Sequence, residues 1–187
     1  AWQRLQTSGL MPVHRVQPDL RKVRAPRNLS EASLRSSGWR VPAEVQARLA
    51  SDRAKRGDVR LVARGREIVG CLPATAPILG MAFDIGSTKI AGFLLDLEDG
   101  RAVETVSAPN PQMVHGEDIM SRLAFARGGA AQEALLHDEV LGTLNELIRK
   151  ACALAHRPPS HVLEVVAVGN TAMHHLCLAE PTIGLSR

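Results

Sequence analysis

One stretch, Leu79 to Asp96 (LGMAFDIGSTKIAGFLLD), limits what this chain can fold into more than any other. An apolar run, Ile78 to Phe83, ends in Asp84-Ile85-Gly86-Ser87-Thr88, and a second apolar run, Lys89 to Leu97, follows at once. Two apolar runs joined by so short a polar loop predict a β-hairpin. Gly86 permits a tight turn and a close backbone approach. Ser87 and Thr88 offer hydroxyls and backbone N–H groups to a phosphate. Asp84, at a strand end, can hold a divalent cation through water. Together these are the means of gripping a Mg-nucleotide with a hairpin. A Walker loop needs G-x-x-x-x-G-K-[ST] before a helix, and a Rossmann turn needs G-x-G-x-x-G opening one. The stretch has neither spacing. An ordinary polar hairpin turn is the competing reading.

The composition allows a packed core of one particular kind. Of 187 residues, 45% are hydrophobic but only 3% are aromatic, with no Tyr, so the core is aliphatic. Charge is uneven: residues 1–80 carry 15 Lys and Arg against 6 Asp and Glu, and residues 81–187 carry 8 against 13. The change of sign places a boundary near residue 80. A basic arm suits nucleic acid, a membrane surface or an acidic partner. This one has only Trp2 and Trp39 interleaved and no nucleic-acid motif, so a solvated arginine-rich linker is the favoured reading and neither nucleic acid nor membrane is expected as a partner. Cys71, Cys152 and Cys177 are far apart and form no C-x-x-C, so this chain alone builds neither a zinc nor an iron–sulfur site. Unpaired cysteines and the lack of a signal or membrane-spanning run predict a cytoplasmic location.

Read in order, residues 1–40 are punctuated by Pro12, Pro18 and Pro26 and are expected to be a basic linker. Residues 41–78 are expected to be a small α/β segment. A helix runs from Pro42 to Arg56 with Val45 and Leu49 on one face, then alternation from Asp58 to Leu72 turns at Arg64-Gly65-Arg66. From residue 78 the expected strands are Ile78–Phe83, Lys89–Leu97 and Arg101–Ala108, the last two joined at Asp99-Gly100. Asn110-Pro111-Gln112 breaks the sheet. A short helix follows from Gly116 to about Arg127, its acids Glu117 and Asp118 in the first turn. Gly128 to Ala131 reads as a loop. A long helix runs from about Ala134 to Ala155, with Leu136, Val140, Leu144, Leu147, Ile148 and Ala151 as its apolar stripe. Val162–Val168 is an unbroken apolar run, fit for a strand buried on both faces. It leads through Gly169-Asn170-Thr171 into a helix from Ala172 to Leu178. Either Asn170 or Thr171 can cap that helix, beside a natural place for an anion or polar substrate. His174 and His175 project about 100° apart and do not form an i, i+4 metal pair.

This order, with a D-x-G-[ST]-T hairpin, resembles the superfamily of acetate and sugar kinases, heat-shock chaperones and actin (ASKHA), whose subdomains have a ribonuclease-H-like α/β fold. Four blocks narrow the resemblance: Gly80–Thr88, Asn110-Pro111-Gln112, Gly116-Glu117-Asp118-Ile119-Met120-Ser121-Arg122, and Val168-Gly169-Asn170-Thr171-Ala172-Met173-His174-His175-Leu176. They look like the ATPase domain of ferredoxin-linked reductive activators of corrinoid proteins. The resemblance implies a three-stranded antiparallel meander, crossover helices and a buried parallel strand, with residues 79–187 the first half of the ATPase domain.

It also implies ATP and Mg as cofactors. Asp84 would orient Mg through water, and Gly86, Ser87 and Thr88 would hold the β- and γ-phosphates. Asn170 and Thr171 would position water or substrate near the γ-phosphate. An amide is no general base, so Asn170 could only orient. For Glu117 and Asp118 the expected role is helix capping. The branch's loop reads D-I-G-T-T-T; here Ser87 keeps a hydroxyl, and Lys89 is expected to point outward. The superfamily's second phosphate loop and glycine-rich adenosine site do not follow Leu178, and the ferredoxin domain with its 2Fe–2S cluster does not precede residue 1. The chain is therefore expected to be an internal piece of a longer protein and inactive alone. That protein would couple ATP hydrolysis to electron transfer from the iron–sulfur domain to cob(II)alamin on a partner corrinoid protein. A homodimer is compatible with this reading. The alternatives are a small-molecule kinase of the same fold, or a non-enzymatic actin-like module.

Overall fold

In the computed structural model, residues 20–24, 34, 36–43, 45–47, 59–182 and 185 are described. Contacts divide the chain between Ile78 and Leu79. In the first unit, β1 (Leu20–Arg24) pairs antiparallel with β2 (Val59–Arg64), which pairs antiparallel with β3 (Glu67–Pro73). The alternation in 58–72 produces β2 and β3 directly, and Leu61, Ala63, Ile68 and Cys71 join Leu34, Val41 and Val45 in a small aliphatic core. Residues 20–24, 34 and 36–40 correct the linker reading. Leu20–Arg24 is a strand, hidden in the sequence by Arg21, Lys22 and Arg24. Leu34 is buried, and Arg40 bridges to β3 through backbone bonds with Arg66 and Ile68 and an ion pair with Glu67. Of the expected 42–56 helix, residues 43 and 45–47 are helical, and Leu49 lies outside the described residues.

The second unit is the expected meander, crossover and parallel strand. β4 (Leu79–Ile85), β5 (Lys89–Asp96) and β6 (Ala102–Pro109) pair antiparallel in sequence order. A 3-10 turn (Pro111–His115), α1 (Ile119–Ala126) and α2 (Ala130–Leu154) then cross to β7 (Val162–Gly169). β7 pairs in parallel with β4, giving the sheet order β6-β5-β4-β7, and α3 (Thr171–Leu178) follows. Alternation along β4 sends Leu79, Met81, Phe83 and Ile85 to one face, where they meet Ile90, Leu94, Leu123, Leu136, Val140, Leu147, Met173 and Leu176. Burying each large aliphatic side chain of that stripe stabilises the fold by about 1.5–3 kcal/mol. Asp84, between two core residues, belongs to the opposite face.

Two expectations change. α2 begins at Ala130 rather than Ala134, because Ala130-Ala131, among the best helix formers, continue the helix back to the Gly129 cap. β7 is a strand with the expected span, but it is not buried on both faces: Val165, Val166 and Val168 are 51%, 54% and 56% exposed. Among the described residues it is an edge strand with β4 as its one neighbour. Its apolar run is therefore left uncovered. No described helix is long and apolar enough to cross a membrane.

Candidate functional site

Parallel pairing decides what comes together. Asp84 is registered with Val168 and Ile85 with Gly169, so the chain leaves β4 and β7 side by side. Residues 86–88 and 169–171 therefore emerge at the same end of the sheet. Beyond the carboxyl ends of adjacent parallel strands is where open α/β sheets place their ligands. All six candidate residues, Asp84, Gly86, Ser87, Thr88, Asn170 and Thr171, lie at this end.

The loop 86–88 is tight. The Gly86 N–H donates to the Lys89 carbonyl at 3.0 Å, and a Cβ on Gly86 would stand 2.7 Å from that carbonyl oxygen. Glycine is required there by backbone approach. Gly169 is under a similar constraint, since its Cβ would lie 3.0 Å from the Ile85 carbonyl oxygen. Ser87 is half-buried, while Thr88 and Lys89 are exposed. The carbonyls of Gly86, Ser87 and Thr88 are all occupied by protein donors: Asn110 Nδ2 at 2.8 Å, Arg122 Nη2, and the Asn110 N–H at 2.8 Å. In a planar trans peptide the C=O and the following N–H point in opposite directions. Pinned Gly86 and Ser87 carbonyls thus turn the N–H groups of Ser87 and Thr88 away from the protein. Among the described residues neither N–H donates to a backbone acceptor. Two outward amides and two hydroxyls form a donor set suited to phosphate oxygens.

Asp84 is half-buried, and among the described residues its carboxylate has no hydrogen-bond or ion-pair partner. Mg2+ commonly keeps several waters and takes one or two carboxylates plus substrate phosphates. One unengaged carboxylate beside a phosphate-type donor loop fits that demand. Among the described residues no group of three or more His, Cys, Asp or Glu is arranged for a metal held by protein alone.

Asn170 is the N-cap of α3: its Oδ1 accepts from the Met173 N–H at 3.0 Å. Only its amide NH2 is left to meet a ligand. Thr171, exposed, opens the helix. A concavity of about 390 Å3 is lined by Gly169, Thr171, His174, His175, Leu178 and Glu180. It touches the second half of the candidate set but not the 84–88 loop. His175 Nδ1 is within 2.9 Å of the Pro181 carbonyl.

Asp118 caps α1 in a reciprocal box, accepting from the Ser121 N–H at 2.8 Å while its own N–H donates to Ser121 Oγ at 3.3 Å. The backbone bond from Ser121, its hydroxyl, and to a lesser degree the Arg122 charge hold the Asp118 carboxyl below its ordinary value. Glu117 stands outside the helix, exposed.

Residue-by-residue reading missed Arg122 and Asn110 as site components. Both sit in the blocks that carry the resemblance, yet their partners in the loop lie 22 to 35 residues away. The available signal was an arginine on the inner, apolar side of a short helix: Arg122 is fully buried, next to Leu123.

A curated relative, the corrinoid activation enzyme RamQ of Eubacterium limosum, is 31% identical over 123 residues, covering 64% of this chain and 21% of its own. A solved structure titled as a reductive activator for corrinoid, iron–sulfur protein superposes with a TM-score of 0.65 at 23% identity, over 92% of this chain and 31% of its own. At that identity the superposition speaks for the fold. The chain thus spans about a fifth of the curated relative's length and about a third of the solved chain's. The family model described as the RACo middle region matches residues 79–186, the whole span that carries the meander, the crossover and the two loops. The chain belongs to the RACo middle region family.

Proposed function

We propose that residues 79–182 form the phosphate-gripping half of an ASKHA-type, ribonuclease-H-like ATPase domain within a reductive activator of corrinoid proteins. The observation that carries this reading is the convergence of Asp84, the outward amides and hydroxyls of residues 86–88, and the Asn170–Thr171 helix start at one end of the β4–β7 pair. Family membership supports the wider setting. In this reading ATP binds with Mg2+. Ser87 and Thr88 hold the phosphates, and Asp84 holds water on the metal. The Asn170 amide and the Thr171 hydroxyl orient water near the terminal phosphate. Hydrolysis in the longer protein drives a conformational change that lets a low-potential electron pass from an iron–sulfur domain to the cob(II)alamin of a partner corrinoid protein.

Asp84→Ala in the full-length gene product tests it. The expected result is loss of Mg-dependent nucleotide turnover with the fold retained, since Asp84 has no protein partner among the described residues to lose. Turnover equal to wild type sinks the assignment of the loop.

A further inference from the structure

The phosphate reading accounts for the outward side of the 86–88 loop. Its inward side is built from two buried polar residues that this reading does not use. Asn110 is 1% exposed and Arg122 is 0% exposed. Asn110 holds the loop twice, by its side chain at Gly86 O and by its backbone N–H at Thr88 O. Arg122 Nη2 donates to the Ser87 carbonyl between them, Nε donates to Gly116 O at 2.8 Å, and Nη2 also lies 3.5 Å from Glu117 O. Every carbonyl of the loop is thereby fixed from behind. The planar fork of a guanidinium can serve carbonyls in different directions at once, which a lysine ammonium on a flexible stem does not reproduce.

Met173 joins this support to the other half of the site. Its sulfur lies 3.5 Å from Asn110 Nδ2 and 3.9 Å from Arg122 Nη1, and its N–H donates to the capping Asn170 Oδ1. The loop after β4 and the helix start after β7 therefore share one buried junction. The partners of Arg122 are neutral carbonyls and a thioether, so its charge is not matched by a carboxylate hydrogen-bonded to it. Asp118, one turn back, acts on this charge through space without a hydrogen bond to it, and a buried cation whose hydrogen-bond partners are neutral is costly. Here it lies directly behind the loop that the phosphate reading gives to an anion.

We propose that Arg122 and Asn110 are positioning residues for nucleotide phosphate: they hold the carbonyls of Gly86, Ser87 and Thr88 inward, keep the Ser87 and Thr88 amides presented to the phosphates, and couple this loop through Met173 to the Asn170 cap. The assignment rests on the phosphate reading of the loop, and its test separates the two.

In the full-length protein, wild type is compared with Arg122→Lys, which keeps the charge and loses the fork, and with Asn110→Asp. The aspartate keeps an acceptor for the Gln112 N–H and loses the donor to Gly86. Two quantities are read: the affinity for Mg-ADP, and amide hydrogen exchange with no ligand added. Both variants are expected to bind Mg-ADP at least about tenfold more weakly, as losing a hydrogen bond from a charged or buried donor implies. Exchange is expected to quicken at Gly86, Asn110 and Met173, whose amides are hydrogen-bonded within this junction, while β5, β6 and α2 stay protected. Wild-type protein that takes no Mg-ADP overturns the phosphate reading, and this assignment with it. Wild-type binding, with variants that match it in affinity and in loop exchange, overturns the positioning role alone. Protection lost evenly across β4–β6 and α2 makes the two residues general supports of the core and also overturns it.

Discussion

At the scale of single residues, the site depends on where backbone atoms are forced to point. Gly86 leaves 2.7 Å between a would-be Cβ and the Lys89 carbonyl oxygen, and that neighbour is backbone, which cannot swing aside. Gly86→Ala is expected to destabilise the unit by about 1–3 kcal/mol through this overlap and to weaken nucleotide binding, as read by thermal melts and a Mg-ADP titration. A variant as stable as wild type contradicts the geometry of the turn. The Asp84–Thr88 turn was legible as a hairpin because its members are contiguous, whereas the distant donors that hold its carbonyls were not. Asn170 was legible as a cap because capping is also local. Arg122 lies in the Gly116–Arg122 block, where its neighbours in sequence give it no role. Nothing within a few residues of it announces that its guanidinium reaches Ser87, 35 positions earlier.

Among the elements, local chemistry fixes the helix starts and long-range packing fixes burial. The Asp118 box on α1 illustrates the first. Its carboxyl is held below the model-peptide value of 3.8 by the Ser121 bonds. A depressed folded-state pKa contributes stability that is complete above the unfolded value and is lost as pH falls through the folded one. The cap is therefore expected to weaken at pH below 3.8, whereas Asp118→Asn, whose amide oxygen accepts at any pH, does not lose it. Wild type and Asp118→Asn melted side by side across the acid range check this; parallel curves contradict it. α2 illustrates packing. Leu136 is fully buried, and Leu136→Ala is expected to cost about 2–5 kcal/mol in a denaturant melt. β7 shows where sequence pattern stops. An unbroken apolar run states that a strand suits burial on both faces. It does not say which neighbours supply the cover, and Val165, Val166 and Val168 have none sufficient among the described residues.

At the scale of the whole molecule, the described residues form two sheets, each with its own aliphatic core. The meander and crossover of residues 79–182 were readable because each strand is followed by its pairing partner or by an unmistakable amphipathic helix. The first unit was read less well. The hydrogen bonds of β1 reach β2 across more than thirty residues, and a strand that spells Leu-Arg-Lys-Val-Arg has no alternation to betray it. The central claim concerns the second unit: that the loop after β4 and the helix start after β7 close on the phosphates of one Mg-nucleotide. The most direct measurement is amide hydrogen exchange of the full-length protein with and without Mg-ATP. Slowed exchange at Ser87, Thr88 and the first turn of α3 is the predicted result. Mg-ATP that binds and leaves those amides exchanging as before contradicts it.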